Sequence, residues 1–181
     1  MTMNTLAPTS RSGGSVTPSA EEQQRNVTEL APAVLKLKNI LVPTDFSKIS
    51  HKALEYAVPI AKQFGARITM LHVIEPLPYP VDLTYVPLGE GFPIQPIEED
   101  LNALAKRMVE PQLLKEVLVR VGPAYEEITN VARDCEADLI VITTHGRTGI
   151  RHVVMGSTAE RVVRHSPCPV LVVRKREHEF V

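Results

Sequence analysis

The chain contains no long hydrophobic run. None of its 181 residues lies in a stretch approaching the roughly 18 consecutive apolar residues that a membrane-spanning helix needs. It also lacks an excess of either charge: 20 Lys and Arg stand against 21 Asp and Glu, a net charge of −1. A general nucleic-acid binder presents a broad basic face, so this balance argues against one while leaving room for local basic clusters. Cysteine is scarce, and Cys135 and Cys168 have no metal-type spacing. The opening residues, MTMNTLAPTSRSGGSVTPSAEEQQ, contain no apolar segment of the kind a secretory signal carries. Without such a signal a disulfide framework is not expected. The Asn-Val-Thr at Asn26, a glycosylation acceptor in a secreted protein, then carries no weight. The expectation is an intracellular, cytoplasmic protein with neither a nucleic-acid nor a membrane partner.

What is present suits one globular domain with an appendage: 44% apolar and 23% charged residues. Residues 1–36 are rich in Ser, Thr, Gly, Pro and Gln up to Asn26 and offer little to bury, so a disordered or weakly ordered tail is expected. The stretch Glu29 to Leu37 is a candidate to fold back onto the domain. Residues 37–175 form the domain, and 176–181 a C-terminal tail. NILVP reads as a short strand stopping at Pro43. The following helix places Leu54, Ala57, Val58, Ala61 and Phe64 on one face, with Ser50 as N-cap, Gly65 just past its end and a kink at Pro59. RITMLHVIE is nearly continuous in apolar residues, as in a strand covered on both faces. Residues 75–99 carry six prolines, Pro76, Pro78, Pro80, Pro87, Pro93 and Pro96, and read as a long irregular excursion; the tail and Thr84 to Ile97 are candidates to tune partner choice or cover the pocket. Helix, strand and helix alternate again through IEEDLNALAKRMV, KEVLVRVG and PAYEEITNVARDCEA. The strand DLIVITT, the helix STAERVVRHS and the strand PCPVLVVRK complete the chain. Such alternation implies right-handed βαβ units and a parallel sheet, whose ligands sit at the carboxyl ends of the strands.

One connection stands out, ITTHGRTGIRHVVMGSTAE, Ile142 to Glu160. Gly146, Gly149 and Gly156 permit unusual backbone conformations and close approach to a ligand. STAE reads as a capping box with Glu160 reaching back, and Arg147 and Arg151 add positive charge. A helix N-terminus with unpaired N–H groups in this setting makes an anion site suited to phosphate. The same residues also fit a plain turn followed by a plain cap, since generic glycine motifs are weak.

ILVPTDFS, MLHVIE, ADLIVITTHGRTG and MGSTAERVVRHSPCPVLVV, in this order from about Lys38 to Arg174, resemble the universal stress protein family. The resemblance implies an α/β fold: a doubly wound open parallel five-stranded sheet with helices on both faces, Rossmann-like and similar to the adenine nucleotide alpha hydrolases. It also implies a dimer. One branch of the family binds ATP through Gly-x2-Gly-x9-Gly-[Ser/Thr]. Gly146, Gly156 and Ser157 match the later part, whereas Thr143 stands where the first glycine belongs. By resemblance the nucleotide-binding residues would be Pro43, Thr44, Asp45, Val73, Thr143, His145, Gly146, Arg147, Gly149, Gly156, Ser157 and Thr158. Pro43, Thr44 and Asp45 would lie beside base and ribose, and Val73 would meet adenine through its backbone. The ligand would be ATP or AMP, with Mg2+ as its companion ion. Asp45 also fits a turn residue capping the next helix. The family's dimers imply antiparallel pairing of the edge strand Val170–Val173 with a second copy.

Other residues fit plainer roles. His72 reads as a satisfied core histidine, His145 as orienting its loop, and His51, His165 and His178 as solvated or capping. Cys168 reads as a small buried apolar residue. No nucleophile with a partnered base stands at readable spacing, and the His-x-Gly-His run of a nucleotidyl transferase is missing after the first strand. Catalysis is therefore not assigned, beyond slow hydrolysis of ATP. The alternatives are an adenine-nucleotide-binding stress or signalling module, a dimeric interaction scaffold without nucleotide, and a weak ATPase.

Overall fold

The computed structural model describes residues 35–76, 94–144 and 155–174. The chain divides at Lys36, and the unit from Lys36 to Val181 carries the fold. The expected tail at 1–36, most of the proline-rich excursion, the candidate loop residues His145, Gly146, Arg147 and Gly149, and His178 lie outside the described residues, apart from Leu35 and Lys36.

Elements follow in the expected alternation: β1 (Asn39–Pro43), α1 (His51–Phe64), β2 (Arg67–Ile74), α2 (Ile94–Met108), β3 (Leu114–Val121), α3 (Ala124–Asp134), β4 (Leu139–Thr143), α4 (Ser157–His165) and β5 (Val170–Val173). The five strands are all parallel and ordered β3-β2-β1-β4-β5. This is the parallel sheet that the alternation implied, in the doubly wound five-stranded form that the resemblance implied. Its faces divide the apolar side chains by strand parity. Ile40, Val42, Ile68, Met70 and Val141 pack with α1 and α2. Leu41, Leu71, Ile140 and Ile142 pack with α3 and α4 on the other face. Both faces are covered, which explains strands that are apolar throughout rather than alternating.

Several local readings change. α2 begins at Ile94, so the last residues of the expected irregular excursion are helical. Pro96 falls in the first turn, where a missing N–H costs no intrahelical bond. Ser50 precedes α1 but has helical φ and ψ and makes no side-chain cap. Its hydroxyl instead donates to Ser47 O at 2.8 Å and meets Thr44 Oγ1 at 2.8 Å. Phe64, expected on the buried face, is 42% exposed in the last turn, while Ala53 and Tyr56 are buried. α1 continues through Pro59, which lies on its exposed side; the carbonyl deprived of a donor there, that of Glu55, is on the same exposed side, where water can serve it. Gly65 closes the helix as expected, at φ 66°, with Ala66 N–H donating to Ala61 O at 2.9 Å.

At the amino edge of the sheet the protein satisfies its own polar groups. Asp138 Oδ2 accepts from Lys38 N at 2.7 Å and Asn39 N at 2.9 Å, and Asp138 N–H donates to Asn39 O at 2.8 Å. Lys115 Nζ closes the same corner on Asn39 Oδ1 at 3.2 Å.

Candidate functional site

The carboxyl edge is different, and Pro43 is part of the reason. β1 pairs with β2 along its length, to Pro43 opposite Leu71, but with β4 only through Ile40–Leu139 and Leu41–Ile140. N–H groups along a strand alternate sides. Thr44 N–H donates toward β2, to Leu71 O at 2.8 Å, so the donor missing at Pro43 is the one that would face β4. The two central strands part where the chain direction of the sheet's winding reverses. That switch point is where open α/β sheets hold ligands.

A cavity of about 550 Å³ occupies the place. It lies within the usual range for a small-molecule site. Its walls bring together Pro43, Thr44 and Asp45 after β1, Val73 in β2, Thr143 at the end of β4, and Gly156, Ser157 and Thr158 at the start of α4. Apolar surface comes from Leu71, Ile97, Ile128 and Ile142. His72, Glu75 and Ala124 also line it and were not among the residues predicted to do so.

The β1 loop is held internally. Thr44 is buried, and its Oγ1 accepts Phe46 N at 3.2 Å besides meeting Ser50, so its side chain belongs to the loop. Asp45 Oδ1 accepts Ser47 N at 3.0 Å, the turn role weighed as the plainer reading, and this bond also fixes the carboxylate at the cavity wall. Phe46 adopts φ 63°, a left-handed conformation costly for a side chain of its size, and its ring lies 4.6 Å from that of His72. His72 Nδ1 is 2.8 Å from Thr44 O. Only an N–H can pair with a carbonyl, so Nδ1 carries the proton and the ring braces the loop. The histidine is satisfied as expected, but it is half-buried in a cavity wall rather than in the core.

Two helix N-termini meet this cavity through Ala124 and through Ser157. That of α3 is occupied by the protein's own carboxylates. Glu75 Oε1 accepts Ala124 N–H at 2.9 Å, and Glu126 and Glu127 stand in the first turn. Among the described residues, that of α4 has no side-chain cap. Its N-cap residue is Gly156, one position before Ser157, so STAE does not form the expected capping box: the residue in the N-cap place has no side chain to contribute. Gly156 N–H donates to Thr144 O at 2.7 Å, and a Cβ on Gly156 would stand 2.9 Å from that same oxygen. The glycine is thus required for backbone-to-backbone contact, and its amide does not point to a ligand. The first intrahelical bond is Glu160 N–H to Gly156 O at 3.0 Å. Helix geometry therefore leaves the N–H groups of Ser157, Thr158 and Ala159 without intrahelical acceptors, at the cavity wall.

Burial pushes the thiols of Cys135 and Cys168 above the usual range, which makes both poor nucleophiles at neutral pH. Cys168 is only partly buried, packed against the α3–α4 core. His165 Nδ1 lies 2.8 Å from Arg161 O, one turn back in α4. Among the described residues, no cluster of three or more His, Cys, Asp or Glu side chains is placed to hold a metal ion, and no helix is long and apolar enough to cross a membrane.

The sequence and the fold are matched by known proteins. The model of the universal stress protein family covers residues 36–174. The chain belongs to that family. Universal stress protein MJ0531 of Methanocaldococcus jannaschii is 38% identical over 148 residues, 78% of this chain and 85% of that protein. Universal stress protein MJ0577 of the same organism is 30% identical over 155 residues, 77% and 96% of the two chains. A solved structure of MJ0577 superposes with a TM-score of 0.67 at 28% identity, covering 80% of this chain and 100% of that one. A universal stress protein solved in complex with cAMP superposes with a TM-score of 0.55 at 25% identity, covering 77% and 98%. The fold of this universal stress protein is therefore the family's fold.

Proposed function

We propose that the crevice binds an adenine nucleotide, ATP, ADP or AMP, and that the protein acts as a cytoplasmic stress-response or signalling module. The observation that carries this reading is the α4 N-terminus. N–H groups of Ser157, Thr158 and Ala159 without intrahelical acceptors and two hydroxyls border the cavity, with no carboxylate cap among the described residues, a setting for a phosphate group. Asp45, held at the wall across the crevice, would accept from a ribose hydroxyl or an amino group. The complex of a relative with cAMP supports the same ligand class. His145, Gly146, Arg147 and Gly149 would complete the phosphate end from the adjoining loop. Mg2+, where a triphosphate binds, would be held mainly by phosphate oxygens rather than by a protein cage. Homodimerisation through Val170–Val173 is part of the proposal, because among the described residues β5 pairs only with β4 and ends the sheet on that side.

A second reading, a dimeric interaction scaffold without nucleotide, is favoured by Thr143 in place of glycine and by the Gly156 amide being engaged with Thr144. A thermal-shift titration separates the two. Ligand at about 100 times its Kd should add about 2.7 kcal/mol of stability. Absence of a shift with ATP, ADP and AMP, with and without Mg2+, rejects the nucleotide reading. Adenine nucleotide found by mass spectrometry on the purified protein rejects the scaffold.

A further inference from the structure

Beyond Pro43 the chain leaves the sheet, yet Thr44 stays engaged at each of its polar groups. Its N–H donates to Leu71 O at 2.8 Å. Its Oγ1 meets Ser50 Oγ at 2.8 Å and accepts Phe46 N–H at 3.2 Å, and its carbonyl accepts from His72 Nδ1 at 2.8 Å. In a continued parallel ladder that carbonyl would take the N–H of Val73, two residues beyond Leu71. Here a side chain takes it instead. The Thr44 carbonyl and the Asp45 N–H belong to one planar peptide unit, so the bond from His72 fixes the plane from which Asp45 departs. The next residue, Phe46, holds a left-handed φ of 63°, and its ring lies 4.6 Å from the His72 ring. A phenylalanine keeps that conformation only where its surroundings impose it. His72, Thr44 and Asp45 all line the cavity.

We propose that His72 is a positioning residue for the ligand site: through the Thr44 carbonyl it holds the β1 loop, and with it the Asp45 carboxylate, in the place that the nucleoside end of the ligand requires. The proposal rests on the nucleotide reading above. A loop fixed before binding adds little ordering cost when the ligand arrives. Loss of the His72 donor removes that bond from the Thr44 carbonyl and lets the peptide turn, so part of the ligand's binding energy goes into restoring the loop.

The test is isothermal titration of the full chain with AMP and with ATP, for the natural protein, His72→Asn and His72→Phe. The asparagine amide nitrogen stands in the place of imidazole Nδ1 and can donate to Thr44 O, although the ring is gone. Phenylalanine keeps a ring beside Phe46 and has no donor. His72→Phe should bind nucleotide about threefold to tenfold more weakly, the worth of one hydrogen bond, and His72→Asn should stay within about twofold of the natural protein. On an Asp45→Ala background the His72→Phe loss should shrink below about twofold, because the two residues act on one contact. His72→Leu takes the place of His72→Phe in the same comparison if the phenylalanine variant does not fold. Natural affinity in the donor-free variant, an equal loss in His72→Asn, or losses that add to that of Asp45→Ala each overturn this inference alone. Failure of the natural protein to bind either nucleotide overturns the nucleotide reading as well.

Discussion

α3 and α4 begin at the same cavity and pack on the same face of the sheet, yet their N-termini are finished in opposite ways. α3 meets Glu75 at its first amide and has Glu126 and Glu127 in its first turn. α4 begins at a glycine, and the carboxylate in its first turn, Glu160, pairs at 2.9 Å with Arg164 one turn on. A helix N-terminus attracts negative charge wherever it lies. One of these ends satisfies that attraction within the chain and helps close the fold. The other leaves it unmet among the described residues. The difference supports the proposed anion-binding end of the crevice better than any glycine count does.

The largest disruption of this contrast should come from Gly156→Val. Gly156 has φ −70° and ψ 153°, which any residue can adopt, so the objection is space alone. The new Cβ would stand 2.9 Å from Thr144 O, and both partners are backbone. Displacing α4 from β4 should cost about 1–3 kcal/mol, typical of overpacking. It should weaken adenine-nucleotide binding at least about tenfold, since about 1.4 kcal/mol of lost interaction has that effect. Thermal unfolding and a nucleotide titration measure the two effects, and native-like values for both would refute this account of the glycine. Ser157→Glu should come next, because it gives α4 the finish of α3. Ser157 is exposed, so no burial cost arises. Stability should hold or rise by about 0.3–1 kcal/mol, while nucleotide affinity falls several-fold. Opposite signs in one variant distinguish competition for the helix end from general damage. Glu75→Ala should act in the reverse sense on α3, costing about 1 kcal/mol in chemical denaturation through loss of its cap.

The contrast was only partly legible beforehand. Strand and helix order followed from periodicity, because each apolar run is covered on both faces or along one stripe. Pro43, Asp45, Val73 and Thr158 were named and do meet at one cavity. Glu75 was passed over because it opens a proline-rich stretch. Its partner Ala124 is 49 residues away and becomes a neighbour only once β3 is laid beside β2. Gly156 stands out for close approach to a ligand. A residue type that permits close approach does not say what approaches, and in this structure Thr144 O does. The STAE pattern misled by one position, since N-cap identity depends on φ and ψ that the letters do not record. His72 reads as core from its apolar neighbours, yet the strand's last residues emerge at the cavity.

The smallest expected effect lies at the other end of the helices. α1 and α3 stop by the same device: Ala66 N–H reaches Ala61 O at 2.9 Å, and Ala137 N–H reaches Ala132 O at 2.9 Å. Each alanine follows a left-handed residue, Gly65 at φ 66° in one case and Glu136 at φ 50° in the other. The hydrogen bonding is equivalent, so the two caps differ mainly in the steric cost of a Cβ, about 1–2 kcal/mol for a left-handed residue. Glu136→Gly removes that cost and leaves intact the bond that Glu136 O accepts from Asn39 Nδ2. Glycine also enlarges the freedom of the unfolded chain, which takes back part of the gain. The net expectation is a stabilisation of about 0.5–1 kcal/mol in chemical denaturation, with nucleotide affinity unchanged because Glu136 lies between α3 and β4 at the amino edge, away from the cavity. A loss of stability would mean that the Glu136 side chain itself supports the corner held by Asp138 and Lys115, and that the two helix ends are not the same device.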